Sequence, residues 1–454
     1  MLLFDLYSEQ FKSKNIYIRT INSDYSFRQI SHYSEIVYAT YLENFSGVVT
    51  LRLSNQLNLI ICIWACLRFQ KTFFLLPDEL NDNLAEDLIK NANSSLILQD
   101  SPYGNDCKFN LNCISKSTRG YSKNMINQQG IYFLTSGTTT LSKLVWVDFN
   151  QFAYSLNAIR LHKFMPYVEK KNVLISSAFY HSYGFSSLLE YTLGGSTIFI
   201  SEKHSSFEII KFISDEKIMR LLSAIEGVPY FYQQLIIISH KINLVNLEHV
   251  GIGGDLVPDI LFEGLVNCFN FASLSIRYGV TELPSIISLS VFPPATIQRE
   301  SQVLPIYNVT CKENENHPDG GEIIVRYKPF FNISKKTLTG DLGKLKNGRL
   351  IILGRNGNFV KYKGNKISLV ALEELMLRSG MVKEARCSIH EEKLEAEIVP
   401  INNDFSIKHF KEYISSQIPW QLVPEKFELS DTITRTMSGK ISRNIANDLN
   451  NHSR

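Results

Sequence analysis

Val48–Leu76 reads VVTLRLSNQLNLIICIWACLRFQKTFFLL. Val48–Leu53 is an apolar run of strand length, Gln56–Arg68 is apolar over a helix length, and Thr72–Leu76 is a second strand. Strand, helix and strand in that order predict parallel neighbours, because parallel strands need a long crossover between them. Outward from this unit the pattern repeats. Glu79–Asn91 reads as a helix and Ser95–Gln99 as a strand. Asn172–Ser176, Ser196–Ile200, Glu248–Ile252 and Leu274–Tyr278 are further strands, separated by helical stretches such as Pro258–Phe269. Runs like Ile131–Leu134 show no polar alternation, as expected of strands covered on both faces. The fold class is therefore α/β, with a large N-terminal part of helix-covered, mostly parallel sheets.

Past Tyr307 the character changes. Glu313–Gly321 is polar and turn-rich, while Glu322–Tyr327 and Arg349–Gly354 read as antiparallel strands. Gly354–Ser368, GRNGNFVKYKGNKIS, is dense in Gly, Asn and Lys. Beyond it, a helix over Leu369–Arg378 capped by Ser368, two strands and a second helix suffice for a small mobile α+β domain. The expected division is 1–354 and 355–454, with a hinge near 355–358 where Gly357 and its flanking asparagines give backbone freedom.

Composition excludes more than it names. The 454 residues are 44% hydrophobic and 20% charged, which argues against extensive disorder. Lys and Arg number 47 against 44 acids, and a net charge of +3 gives no footprint for nucleic acid. Seven cysteines at irregular spacing fit neither a disulfide framework nor paired zinc ligands. The start, MLLFDLYSEQFKSK, carries acids early and lacks a secretory apolar core. Leu59–Cys66 is too short to span a bilayer. These features predict a cytoplasmic protein with no membrane span.

Five motifs carry chemistry. LTSGTTTLSK (Leu134–Lys143) follows an apolar strand with four hydroxyls, a Gly and a Lys, a composition suited to cradling phosphate, although it is no Walker loop. RYGVTEL (Arg277–Leu283) offers a stacking Tyr278, the Thr281 hydroxyl and, in Glu282, a carboxylate for a hard cation such as Mg²⁺. TLTGDLGKL (Thr337–Leu345) places Asp341 in what reads as a tight turn. GRNGNFVKYKGNKIS and TRTMSGKISR (Thr434–Arg443, with Lys440 after Ser-Gly) complete the set. Each alone reads more readily as an ordinary loop, turn or solvated lysine than as a binding site.

Together, in this order and spacing, they resemble the adenylate-forming superfamily: acyl- and aryl-CoA synthetases, peptide-synthetase adenylation domains and luciferases. YHSYG (Tyr180–Gly184), GVP (Gly227–Pro229) and GGDLVP (Gly253–Pro258) also fall where that family has counterparts. The resemblance implies ATP-dependent activation of a carboxylic acid to an acyl adenylate, pyrophosphate release and transfer to a thiol. It implies that Thr135, Ser136, Gly137, Thr138, Thr139 and Lys143 hold the outer phosphates. Gly253, Gly254 and Asp255 would line the adenine, with Tyr278 stacking on it beside Gly279. Thr281 would touch the α-phosphate, and Glu282 the Mg²⁺. Asp341 and Arg355 would take the ribose hydroxyls, and Lys366 stands where the family has a basic residue. Lys440 matches the family's catalytic lysine, and Gly364 would let a pantetheine arm pass.

There are departures. Thr140, Ser142 and Leu144 replace the Gly, Pro and Gly usual in the phosphate loop, and the hinge position is Gly357. The acid-site segment AFYHSYGFS (Ala178–Ser186) holds His181 and no Asp to pair an ammonium, which favours an aryl or aliphatic acid over an α-amino acid. Gly184, Phe185, Gly227, Val228 and Tyr232 are the expected pocket walls. With no carrier segment after Arg443, the acceptor is expected to be separate, most simply coenzyme A. The alternative acceptor is the phosphopantetheine of a carrier protein. A third reading, of another class, is a degenerate protein that binds nucleotide or acyl adenylate without turnover. Retention of Lys143, Glu282, Asp341, Arg355 and Lys440 argues against it.

Overall fold

The computed structural model describes residues 2–101, 114–118, 129–135, 143–294, 296–314, 317–328, 333, 336–363, 365–436 and 440–443. The opening strand–helix–strand unit forms as read: Val48–Arg52, Gln56–Arg68 and Phe73–Leu75, with the two strands parallel. Asn55 starts the helix by accepting the Asn58 amide. Every residue from Gln56 to Leu67 is buried, which is what an all-round apolar helix requires. The unit belongs to a six-stranded sheet that also contains Ser94–Asp100, Gly130–Thr135 and the antiparallel Lys143–Asp148.

A second sheet carries thirteen strands among the described residues. Its centre is parallel, running Ser273–Tyr278, His249–Gly253, Ala224–Gly227, Asn172–Ile175, Thr197–Phe199 and Ile16–Arg19. An antiparallel wing of Ser288–Phe292, Glu300–Val303, Arg349–Arg355, Lys336–Lys346, His317–Tyr327 and Tyr307–Asn314 extends it. The α/β class holds, and the antiparallel strands expected over Glu322–Tyr327 and Arg349–Gly354 are part of the wing.

Three local readings change. Of the segment read as turn-rich, Glu313–Asn314 and His317–Gly321 lie in strands Tyr307–Asn314 and His317–Tyr327, because ladder partners supply hydrogen bonds that polar composition does not forecast. The helix read from Glu79 starts at Asp82, since Asn81 caps it and Arg52 holds the Asp78 and Leu80 carbonyls outside it. Asp341 lies within strand Lys336–Lys346 rather than in a tight turn. Gly340, at φ +73, gave the motif its turn-like look, but Thr337, Thr339, Asp341 and Leu342 are buried.

The largest core cluster gathers around Trp64, whose indole N–H donates to the Tyr17 hydroxyl at 2.8 Å. A separate cluster contains Tyr362, Ile367, Leu372, Met376, Ile398, Phe410 and Ile414. Among the described residues, no helix is long and apolar enough to cross a membrane.

Trp64→Ala should destabilise the fold by about 3–5 kcal/mol through loss of a fully buried ring, measurable as a lower urea midpoint. Buried imidazoles add a pH dependence. Burial pushes His204 down to about 4 and His249 down to about 3, from an ordinary 6.5. Below pH 6.5 the unfolded chain takes up protons that the folded chain refuses. Stability should therefore fall between pH 6.5 and about 4, and a flat urea midpoint over that window would contradict the assignment.

Candidate functional site

Four parallel strands end side by side, and their C-terminal ends open into one cavity. Asn172–Ile175 leads to Ser177 and His181, Ala224–Gly227 to Val228, His249–Gly253 to Gly254, and Ser273–Tyr278 to Gly279–Ser285. Strand C-termini are where open parallel sheets leave a crevice for ligands. The cavity measures about 290 Å³. The six-stranded sheet adds Thr135 and Lys143, which are register partners across its antiparallel edge. Arg355 and Lys440 reach the same cavity from late in the chain. An adjoining cleft of about 250 Å³ shares Val228, Gly254, Arg355 and Lys440 and adds Asp255.

The expected residues thus meet, with exceptions. His181, Tyr278, Gly279, Thr281, Glu282, Arg355, Lys143, Thr135, Gly254 and Lys440 line the larger cavity. Ser136, Gly137, Thr138, Thr139 and Gly364 lie outside the described residues. Lys366 is placed by its backbone only, opposite Lys361 in a two-stranded sheet. Gly253 is covered: a Cβ there would lie 2.8 Å from the Tyr183 ring. Gly254 sits at φ +81, so only it turns the chain out of the strand without strain. Of the expected pocket walls, Val228 lines the cavity. Phe185 instead packs in the core, and Tyr232 is buried with its hydroxyl donating to the Ile225 and Gly251 carbonyls.

Local contacts fix the reactive groups. His181 stands at the N-cap of helix Ser182–Leu193, and Ser182 Oγ lies 3.1 Å from Thr281 Oγ1. Asp341 faces Arg355 across the ladder, with Arg355 Nε 3.0 Å from its Oδ1. The Tyr278 hydroxyl donates to Asp341 Oδ2 at 2.9 Å. Tyr278, Asp341 and Arg355 therefore form one continuous polar edge.

Lys440 is held by Thr436: the Thr436 amide donates to its carbonyl at 2.8 Å, and its amide donates to Thr436 Oγ1 at 3.2 Å. Three residues on, Arg443 makes a two-pronged pair with buried Glu373, at 2.7 and 2.8 Å. Arg386 donates to the Ser442 carbonyl at 2.8 Å. The late segment also touches the large sheet's helices. The Arg435 guanidinium stacks over Tyr230 at 4.0 Å, and the Asp259 amide donates to Glu374 at 3.1 Å.

Three charged residues beneath the cavity escaped the sequence reading. Arg277 pairs with Glu190 and, at 3.0 Å, with Glu226, all three side chains being at most 1% exposed. Its Nη1 also donates to Ser187 at 2.9 Å. The signal was present: Glu190 interrupts the apolar helix and Glu226 the apolar strand AIEG, and carboxylates in such runs are rarely buried unless paired.

Burial pushes the Asp341 carboxyl above its ordinary range, and Arg355 is the main opposing influence, ahead of the Tyr278 hydroxyl and Lys440. In Arg355→Gln, the Asp341 carboxyl should titrate at higher pH than in the parent, followed by carbon NMR. An unchanged or lower titration point would contradict the ion pair.

Residues 9–329 match the family described as AMP-binding enzyme. The chain is 24% identical over 330 residues to 2-succinylbenzoate–CoA ligase of Staphylococcus aureus (strain Newman), covering 68% of this chain and 65% of that ligase. Among solved structures, the anthranilate CoA ligase AuaEII in complex with anthranoyl-AMP superposes with a TM-score of 0.79 at 14% identity, covering 100% of this chain and 97% of that one. The O-succinylbenzoate coenzyme A synthetase of Bacillus subtilis in complex with AMP gives 0.75 at 20% identity, covering 98% of each chain. In complex with ATP and magnesium ion it gives 0.74 at 19% identity, covering 97% of this chain and 98% of that one. At these identities the superpositions show the shared fold.

Proposed function

Since this chain belongs to the family of AMP-binding enzymes, we propose that it activates an aryl or aliphatic carboxylic acid with ATP and passes the acyl group to a thiol, that of coenzyme A. The observation that carries the reading is the meeting of Lys143, His181, Thr281, Glu282, Arg355 and Lys440 on one cavity, from segments far apart in sequence. A core histidine, a solvated tail lysine and a turn carboxylate have no common reason to converge. An anionic substrate gives one.

In the first step, a carboxylate oxygen of the acid attacks the α-phosphorus of ATP. The bond from that phosphorus to the bridging oxygen breaks, and pyrophosphate leaves with its electron pair. Little covalent work falls to the protein, so positioning and charge stabilisation dominate. Lys440 supplies an ammonium where charge builds between acid and phosphate, and Thr281 a hydroxyl beside it. Thr135 and Lys143 stand at the two ends of the loop assigned to the outer phosphates. The Asp341–Arg355–Tyr278 edge suits ribose, because each Asp341 oxygen keeps a lone pair beyond its present bond.

Glu282 fits a Mg²⁺ site. Among the described residues no group of three or more His, Cys, Asp or Glu could hold a metal ion. Mg²⁺ at nucleotide sites takes one or two carboxylates and completes its shell with phosphates and water. When bound, it would neutralise phosphate charge. In the second step the thiol sulfur attacks the acyl carbon and AMP departs with the electron pair of the mixed anhydride.

We assign residues 355–454 to a lid that closes for the first step and rotates near 355–358 for the second. Lys440 at the cavity and the Arg435–Tyr230 stack are contacts that suit the closed pose.

The test is carboxylate-dependent ATP–pyrophosphate exchange over a broad acid panel, followed by product analysis with coenzyme A and with a holo carrier protein. Exchange with at least one acid is expected, with a coenzyme A thioester as product. No exchange with any acid would sink the enzymatic reading and leave a nucleotide-binding protein. Lys440→Ala should lower exchange by roughly 10²–10³-fold, the scale for removing one group that stabilises transition-state charge. Thioester formation from a supplied acyl adenylate should survive. Loss of both half-reactions with the fold intact would contradict the two-pose mechanism.

A further inference from the structure

Thr281 and Glu282 stand on neither a helix nor a strand. They ride on a bight, residues 279–285, that leaves strand Ser273–Tyr278 and forms part of the inner wall of the cavity. The bight is closed at its base, where the Ile287 amide donates to the Tyr278 carbonyl at 2.8 Å. Within it the Leu283 amide donates to the Val280 carbonyl at 3.1 Å, and from outside Ser155 donates to the Pro284 carbonyl at 3.1 Å. At its far end Ser285 holds a φ of +63, a left-handed backbone that a residue with a side chain keeps only where its surroundings impose it.

One buried carboxylate grips both legs of this bight. Glu190 Oε2 pairs with Arg277 just before it, and Glu190 Oε1 accepts from the Ser285 hydroxyl at its end. The Glu190 side chain has no exposed surface, so water does not compete for either oxygen. Glu226 takes another side of Arg277 at 3.0 Å, which leaves the second Glu190 oxygen for Ser285. The helix that carries Glu190 reaches the bight twice more. Ser187 accepts from Arg277 at 2.9 Å, and Ser182 Oγ lies 3.1 Å from Thr281 Oγ1. Stability of the core needs only the pairs of Arg277. A glycine at 285 would take the left-handed backbone freely. A serine held there against strain by a carboxylate fixes the bight in one position.

From this geometry we infer that Glu190 is a positioning residue for acid activation: by gripping Arg277 and Ser285 together it sets where Thr281 and Glu282 stand in the cavity. The inference rests on the activity proposed above and adds the group that holds its machinery in place. Glu190 lies beneath the cavity rather than on its lining, so it acts through the bight and not on the substrate.

Removing Glu190 would strip Arg277 of a partner and endanger the fold, so the test acts at the other end of the grip. Ser285→Ala keeps Cβ and deletes only the hydroxyl. Ser285→Asn restores a donor on a residue type that tolerates the left-handed backbone. With an acid that the parent chain activates, Ser285→Ala should lower kcat for ATP–pyrophosphate exchange by on the order of 10-fold or more, the scale of a small misplacement of reacting groups. KM for the acid should stay within about threefold, as when only transition-state contacts are lost. Deuterium uptake without any ligand, read by mass spectrometry, should be about tenfold faster over residues 279–287, the scale of one hydrogen bond to a buried carboxylate. Uptake over the buried helix Gln56–Arg68 should not change. Ser285→Asn should restore both kcat and uptake. Four outcomes overturn the inference and leave the activity standing: parental kcat in Ser285→Ala, a change confined to KM, faster uptake along the whole chain, or a kcat loss that Ser285→Asn does not correct. No pyrophosphate exchange with any acid in the parent chain overturns the activity, and the inference falls with it.

Discussion

A guanidinium with 1% of its side chain exposed, locked between two carboxylates with none, is the constraint around which the large sheet is organised. Taking such charges out of water is costly, and their attraction offsets the cost only when geometry and extra hydrogen bonds are complete. Completeness here draws on distant elements. Glu190 comes from helix Ser182–Leu193, Glu226 from strand Ala224–Gly227, and Arg277 from strand Ser273–Tyr278. Tyr191 and Tyr183 donate to Glu226 at 3.0 and 2.5 Å, and Ser285 to Glu190. Gly251 has to be glycine for the same reason, since a Cβ there would lie 2.3 Å from a Glu226 oxygen. The cluster ties the helix that starts at His181 to the strand that ends at Tyr278, and so fixes the two sides of the cavity relative to each other.

The mouth of the cavity is built differently. Its described cations are individually held: Lys143 at a strand start, Arg355 across from Asp341, and Lys440 by backbone bonds to Thr436, three residues before the Arg443–Glu373 pair. None belongs to a broad basic surface, in keeping with a net charge of +3 over 454 residues. The ionic contacts of Arg378 in the late segment with Asp259 and Glu263 on a helix of the large sheet, at 3.6 and 3.7 Å, are long and part-exposed. Contacts of that kind are weak singly and screened by salt, in keeping with the lid movement proposed for that segment.

Much of the fold was legible because its signals are local. Val48–Leu76 declared strand, helix and strand, and the structure reproduces the helix over the same residues, Gln56–Arg68. The cap of Leu369–Arg378 was readable too, with Ser368 accepting the Ala371 amide. The antiparallel wing was legible in part, in Glu322–Tyr327 and Arg349–Gly354, whereas its polar strand Lys336–Lys346 was not, because that strand owes its conformation to partners elsewhere in the chain. Nor was the N-terminal edge, where Ile16–Arg19 pairs with Thr197–Phe199. Asp341 misled because Gly340 and Gly343 beside it look like a turn. The ladder to Arg349–Arg355 overrides that preference by supplying hydrogen bonds on both sides.

The sequence by itself determined the α/β class, the order of the motifs and the identity of the groups at the cavity mouth. Hydrophobic period, turn residues and charged side chains in fixed order are properties of neighbours along the chain. Tertiary structure alone decided what lies at the inner wall. In sequence, Glu190, Glu226 and Arg277 are no more than charges set in apolar runs, and no motif assigned them a role. Their meaning arises only when three elements converge, since a buried charge is defined by what surrounds it in space. For the same reason Gly253, Phe185 and Tyr232 went to packing roles while Tyr183 and Ser285, which no motif singled out, came to face the cavity.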